Sequence, residues 1–136
     1  MNLSAFLNPM KEENRKAVIS QRFVENGKPV EWEIKAISAE QDESIRKTAT
    51  KKTKNKNGMV EKEIDFPLYL SKLATASVVF PDLQNIELQN AYNVMSGEDL
   101  IKKMLTSGEY YRLLDVVKEV NGFEESAEEL LDEVKN

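Results

Sequence analysis

From Tyr69 to Phe123 the chain divides its apolar residues into short helical lengths, each closed by a stop signal, which limits this half to small helices packed on one another. Leu70, Leu73, Ala74, Ser77 and Val78 recur at helical spacing, with Tyr69, Ala76 and Phe80 on the adjoining side. That spacing predicts a central core helix that opens on Pro67, where a missing amide hydrogen costs nothing, and runs to Phe80, where Pro81 ends it. The small residues Ala74, Ala76 and Ser77 allow another backbone to come close, in the core or in a homo-oligomer. Leu83, Ile86, Leu88 and Tyr92 fit one or two short turns. Ser96 with Asp99, and Thr106 with Glu109, have capping-box spacing and open two further helices, on Leu100, Ile101, Met104 and Leu105 and on Tyr110, Leu113, Leu114 and Val117. Asn121-Gly122 supplies a left-handed stop, with Phe123 placed to fold back on it.

The first half has a different period. Val30, Trp32, Ile34 and Ala36 alternate with Glu31, Glu33 and Lys35, which puts apolar side chains on one face of a strand. Ile19 and Phe23 give a matching face upstream, and Asn26-Gly27 offers the positive backbone angles of a tight turn, so residues 16–37 read as a β-hairpin with a slightly irregular loop. A lone hairpin is marginal in water, so the Trp32 face needs cover from the helices. Ser38 with Gln41 starts a helix that runs to about Ala49. From its last turn onward Arg46, Lys47, Lys51, Lys52, Lys54 and Lys56 occur without an acid, running into the turn-prone setting of Asn55, Asn57 and Gly58. This stretch reads as a solvated loop, followed by a short extended segment from Val60 to Phe66. The fold class is therefore α+β: an N-terminal hairpin on a bundle of short helices, in one domain over residues 16–123.

Residues 1–15 form an N-terminal arm. Leu3, Phe6 and Leu7 fit one face of a helical turn before Pro9, either a docking arm or, the preferred reading, a turn folded onto its own domain. Residues 124–136 form an acidic tail with six acids against Lys135, whereas residues 1–123 hold 18 acids and 18 bases. Ala127, Leu130, Leu131 and Val134 make an apolar stripe in that tail, which suits either docking on a partner or a frayed end.

The 136 residues contain no Cys and no His, which removes disulfides, thiolate zinc sites and histidine-based catalysis. Glu61, Glu63 and Asp65, and Asp82, Glu87, Glu98 and Asp99, are spread without a nucleophile or a phosphate-binding glycine loop, and the five glycines read as turns or caps. The expectation is a non-enzymatic protein with no cofactor and no metal. The absence of an 18-residue apolar run and of a basic leader in MNLSAFLNPMKEEN predicts a cytoplasmic chain.

The phrases VVFPDL, ELQNAY, DLIKKML, GEYYRLLD and EVNGF, together with GKPVEWEIKAIS and IRKTATKK upstream, stand in the order and spacing of the XkdN-like tail assembly chaperones of PBSX-type prophages and long-tailed phages, which residues 16–123 resemble. The resemblance implies an assembly factor that binds the tape measure protein, helps tail tube protein polymerise around it in the host cytoplasm, and is not retained in the mature virion. Partner-facing candidates are then the aromatic residues of the helices and the tail stripe: Tyr69, Phe80, Tyr92, Tyr110, Tyr111, Leu130, Leu131 and Val134. Two other readings stay open: a small nucleic-acid-binding regulator using residues 46–56, and a structural tail component. The first is disfavoured because the basic stretch lacks aromatic residues for stacking, so no specific nucleic acid is expected.

Overall fold

The fold is described from a computed structural model, which covers residues 2–123. A one-turn helix, α1 (Ser4–Leu7), precedes the hairpin, whose outer part pairs β1 (Arg15–Ala17) with β4 (Trp32–Ile34) and whose tip pairs β2 (Val24–Glu25) with β3 (Lys28–Pro29). Asn26 and Gly27 both have positive φ, 53° and 78°, so the tip is a two-residue turn of the kind that matches strand twist. The irregularity lies elsewhere. Ala17 faces Trp32 and Val24 faces Pro29, so residues 18–23 stand opposite only residues 30 and 31. The extra length swings inward and buries Ile19 and Ser20 completely.

A third strand completes the sheet in the order β1-β4-β7. Here the structure corrects the sequence reading: the core helix α3 (Phe66–Ser77) stops three residues early, and β7 (Val78–Phe80) pairs antiparallel with β4 through Ile34 opposite Val78 and Glu33 opposite Phe80. The run Val78-Val79-Phe80 continues the helical apolar period, but it consists of β-branched and aromatic residues that fit a strand at least as well. The unpaired edge of β4 supplies the ladder, and the Lys35 amide donates to the Ser77 carbonyl at 2.8 Å. The Phe80–Pro81 peptide is cis.

α3 lies at the centre, packed by α2 (Ala39–Thr48), α5 (Gly97–Met104) and α6 (Ser107–Val120), with the short α4 (Ile86–Ala91) to one side. Its Tyr69, Leu70, Leu73, Ala74 and Ser77 are buried, so the small residues Ala74 and Ser77 serve internal packing, while Ala76 is only half-buried. The starts of α2, α5 and α6 are those of the sequence, whereas α3 opens on Phe66, one residue before Pro67. Ser38 and Thr106 form complete capping boxes with Gln41 and Glu109, Ser96 accepts from the Asp99 amide, and Asp65 caps α3 from the Leu68 amide. Gly122, with φ of 80°, ends α6 while Phe123 N–H donates to the Lys118 carbonyl and Gly122 N–H to the Glu119 carbonyl. Gly97 is a packing residue rather than a turn. A Cβ there would lie 2.6 Å from Thr75 Cγ2 and 2.9 Å from Gln84 Nε2, so its absence lets the start of α5 sit directly on α3.

The lysine-rich stretch is also corrected. Instead of a loop it forms a two-stranded ribbon, β5 (Thr50–Lys54) against β6 (Val60–Ile64), exposed over most of its length and joined to the body through the Asp65 amide and the Ala49 carbonyl. The terminal turn is corrected too. Leu3, Phe6 and Leu7 of α1 are exposed, Phe6 at 79%, so α1 is not folded onto the core.

Candidate functional site

Once the core is closed, a groove with apolar walls remains beside the outer edge of the sheet. Phe80 at the end of β7, and Leu88 and Ala91 of α4, line a depression of about 460 Å³ whose rim carries Asp82, Asn85 and Glu87. Phe80 is 50% exposed; Ile86 and Val79, also open to solvent, lie outside the lining of the depression. Local chemistry sets up this wall. Asp82 Oδ1 accepts from the Gln84 amide, Asn85 Oδ1 caps α4 from the Leu88 amide at 2.9 Å, and Gln89 Nε2 returns to the Leu83 carbonyl at 2.8 Å. Leu83, buried, pins the segment to the body. Apolar side chains held in the open around a concave surface, with carboxylates at the rim, suit the apolar face of a partner helix whose margins are basic.

Of the candidate residues, Phe80 alone falls in this groove. Tyr69 is 1% exposed, inside the core; its hydroxyl donates to Asp42 Oδ1, and the Arg46 guanidinium lies 4.5 Å over its ring. Burial, and then that bond to Asp42, push its hydroxyl up to about 12. Tyr92 caps the end of α4 half-buried. Tyr110 and Tyr111 are half-buried on α6 and meet edge to face, with centroids 6.1 Å apart; burial pushes Tyr110 up to about 12. Leu130, Leu131 and Val134 lie outside the described residues. Leu88 and Ala91 were missed as groove residues, since the sequence shows them only as parts of helical turns.

The strongest electrostatic cluster is structural. Glu109 accepts from Arg22 Nη2 at 2.7 Å, from Ser20 Oγ and from the Thr106 amide at 2.9 Å, while Arg22 also donates to the Met104 carbonyl at 2.7 Å. The Arg22 guanidinium first, then Ser20 and the Thr106 amide, hold the Glu109 carboxyl well below the usual carboxylate range. Together with Arg112 Nη1 donating to the Ile19 carbonyl at 3.2 Å, these bonds fasten the inward excursion of residues 18–22 to α6. Four of the scattered acids are likewise engaged in structure: Asp65 caps α3, Glu98 pairs with Lys72 at 3.9 Å, Glu61 accepts from Asn55 Nδ2 and Asp82 from the Gln84 amide. Among the described residues no group of three or more His, Cys, Asp or Glu is placed to hold a metal ion, and no helix is long and apolar enough to cross a membrane.

Comparison with known proteins agrees with this architecture. A family model described as phage XkdN-like tail assembly chaperone protein matches residues 3–135. The chain is 33% identical over 127 residues to the phage-like element PBSX protein XkdN of Bacillus subtilis (strain 168), covering 91% of this chain and 85% of that protein. It is 34% identical over 121 residues to the uncharacterized protein YqbN of the same strain, covering 87% and 80%. The crystal structure of YqbN superposes with a TM-score of 0.75 at 26% identity, covering 91% of this chain and 98% of that one.

Proposed function

This chain belongs to the phage XkdN-like tail assembly chaperone family, and from that premise we propose that it binds a helical segment of the tape measure protein in the groove beside β7 and assists tail tube assembly without chemistry of its own. The observation that supports this most is the large apolar side chain of Phe80, left half exposed on a concave surface that it shares with Leu88 and Ala91. A long helical protein awaiting its tube exposes apolar stripes, and a groove of this kind covers one turn or two of such a stripe. The acting unit is the domain of residues 16–123, working in the host cytoplasm and absent from the mature virion.

Co-expression with the tape measure protein of the same genome, followed by pull-down, tests the reading. Recovery with the unaltered chain, and its loss with Phe80→Ser plus Ala91→Glu, both exposed on the groove wall, at an unchanged melting temperature, is the expected result. No recovery with the unaltered chain would remove the tape measure protein as partner; recovery undiminished by the double substitution would remove the groove.

A further inference from the structure

The β5–β6 ribbon has two chemically different faces. Its register places Lys52 opposite Lys62, Lys54 opposite Val60 and Thr50 opposite Ile64 on one face, and Lys51 opposite Glu63 and Thr53 opposite Glu61 on the other. The second face balances its own charge. The first carries three lysines and no acid, with Lys52 and Lys62 directly across from one another, an arrangement that destabilises a ribbon unless an anion lies over it. Lys52, Lys54 and Lys62 are exposed and make no ion pair among the described residues, and Met59 and Val60 add exposed apolar surface at the tip.

We infer that this basic face is the docking surface for residues 124–136 of the same molecule. The charge complementarity is internal to the chain: residues 1–123 balance 18 acids with 18 bases, while residues 124–136 hold six acids and one lysine. Ala127, Leu130, Leu131 and Val134 are interspersed among the carboxylates of that segment, so it offers apolar side chains to the lysine stems and Val60 of the ribbon and carboxylates to the lysine heads. Reach allows it. Residue 123 follows α6, whose Asn121 donates to Ser77 at one end of α3, and the ribbon leaves from the other end of that helix. Twelve helical residues span about 18 Å, whereas thirteen residues can extend over about 45 Å. Nucleic acid fits this face less well, since residues 50–64 contain no aromatic side chain and Glu61 and Glu63 line the reverse.

Zero-length carbodiimide coupling of the full chain, with the linked peptides mapped by mass spectrometry, tests this without any phage partner. In the monomer band, Lys52, Lys54 or Lys62 should be joined to Glu128, Glu129, Asp132 or Glu133, with the yield falling several-fold between about 50 mM and about 500 mM salt. Lys52→Glu, Lys54→Glu and Lys62→Glu together should abolish the links, and adding Glu128→Lys, Glu129→Lys and Asp132→Lys should restore them with the polarity reversed. Links only to acids within residues 2–123, links confined to a dimer band, or single-stranded DNA bound through these lysines at physiological salt would each overturn the inference. A failure of the groove reading above leaves this result untouched.

Discussion

Replacing Trp32 by alanine probes the joint between hairpin and helices most directly. Trp32 occupies the middle strand of the sheet, between β1 and β7, and is 2% exposed. An indole removes about 150–250 Å² from water, which at about 25 cal/mol per Å² corresponds to roughly 4–6 kcal/mol. Alanine keeps part of that burial, and the unfolded chain already hides some of it, which lowers the difference to about 3–5 kcal/mol, the range of measured Trp→Ala losses in cores. At about 2.1 cal/mol/K per residue the 136-residue chain unfolds with an entropy near 0.29 kcal/mol/K, so the melting temperature should fall by about 10–17 °C. Reversible melts followed by far-ultraviolet circular dichroism measure this, and the unaltered protein provides a second check, because its single tryptophan should emit at the short wavelengths of a buried indole. A fall of less than about 4 °C, equivalent to about 1 kcal/mol, would refute the reasoning and make Trp32 a surface residue.

Two further predictions concern the polar bonds. The Glu109 carboxyl titrates below its ordinary value when folded, so the stability it lends is complete above about pH 5 and is lost as the pH falls through the acid range; Glu109→Gln should lower the melting temperature near neutrality and flatten its fall between about pH 5 and pH 3, and parallel curves for the two proteins would count against the Arg22–Glu109–Ser20 fastening. Tyr69→Phe should cost about 1–2 kcal/mol by removing the hydroxyl bonded to Asp42. Because that hydroxyl is raised to about 12, its contribution is complete below about pH 10 and disappears as the pH climbs toward 12, so an alkaline melt series in which the variant tracks the unaltered protein would sink the assignment.

What the sequence disclosed depended on how locally each feature is determined. Ser38 with Gln41, Thr106 with Glu109, Asn26-Gly27 and Asn121-Gly122 each act within a few residues, the first two through amide and side chain and the last two through positive backbone angles, and each sits where its spacing placed it. The end of α3 is different. Val78, Val79 and Phe80 satisfy helix and strand periods alike, and the choice rests with β4, more than forty residues earlier. The ribbon did have a local signal, Asn57-Gly58 between two polar runs, but the turn-prone Asn55, Asn57 and Gly58 fit a loop as well as a hairpin turn. Gly97 is indistinguishable from a turn glycine until Thr75 and Gln84 are seen against it. Of the candidate surface, only Phe80 was named in advance. Exposure is a property of the finished packing, and Tyr69 and Ile86 look equally apolar in sequence although one lies inside the core and the other outside it.

The way the two walls of the groove are held bears on what it can bind. Its β7 side is part of the sheet, continuous with Trp32, Ile34 and the covering helices, and moving it means breaking the core. The α4 side is a six-residue helix with no buried residue of its own, kept in place by its cap, by Gln89 returning to Leu83 and by the buried Leu83 just before it. So short a helix gains little from propagation, and its few tertiary contacts make local opening cheaper than global unfolding. One fixed wall carrying Phe80 and one adjustable wall carrying Leu88 and Ala91 would let the proposed groove fit apolar helical stripes of varying sequence.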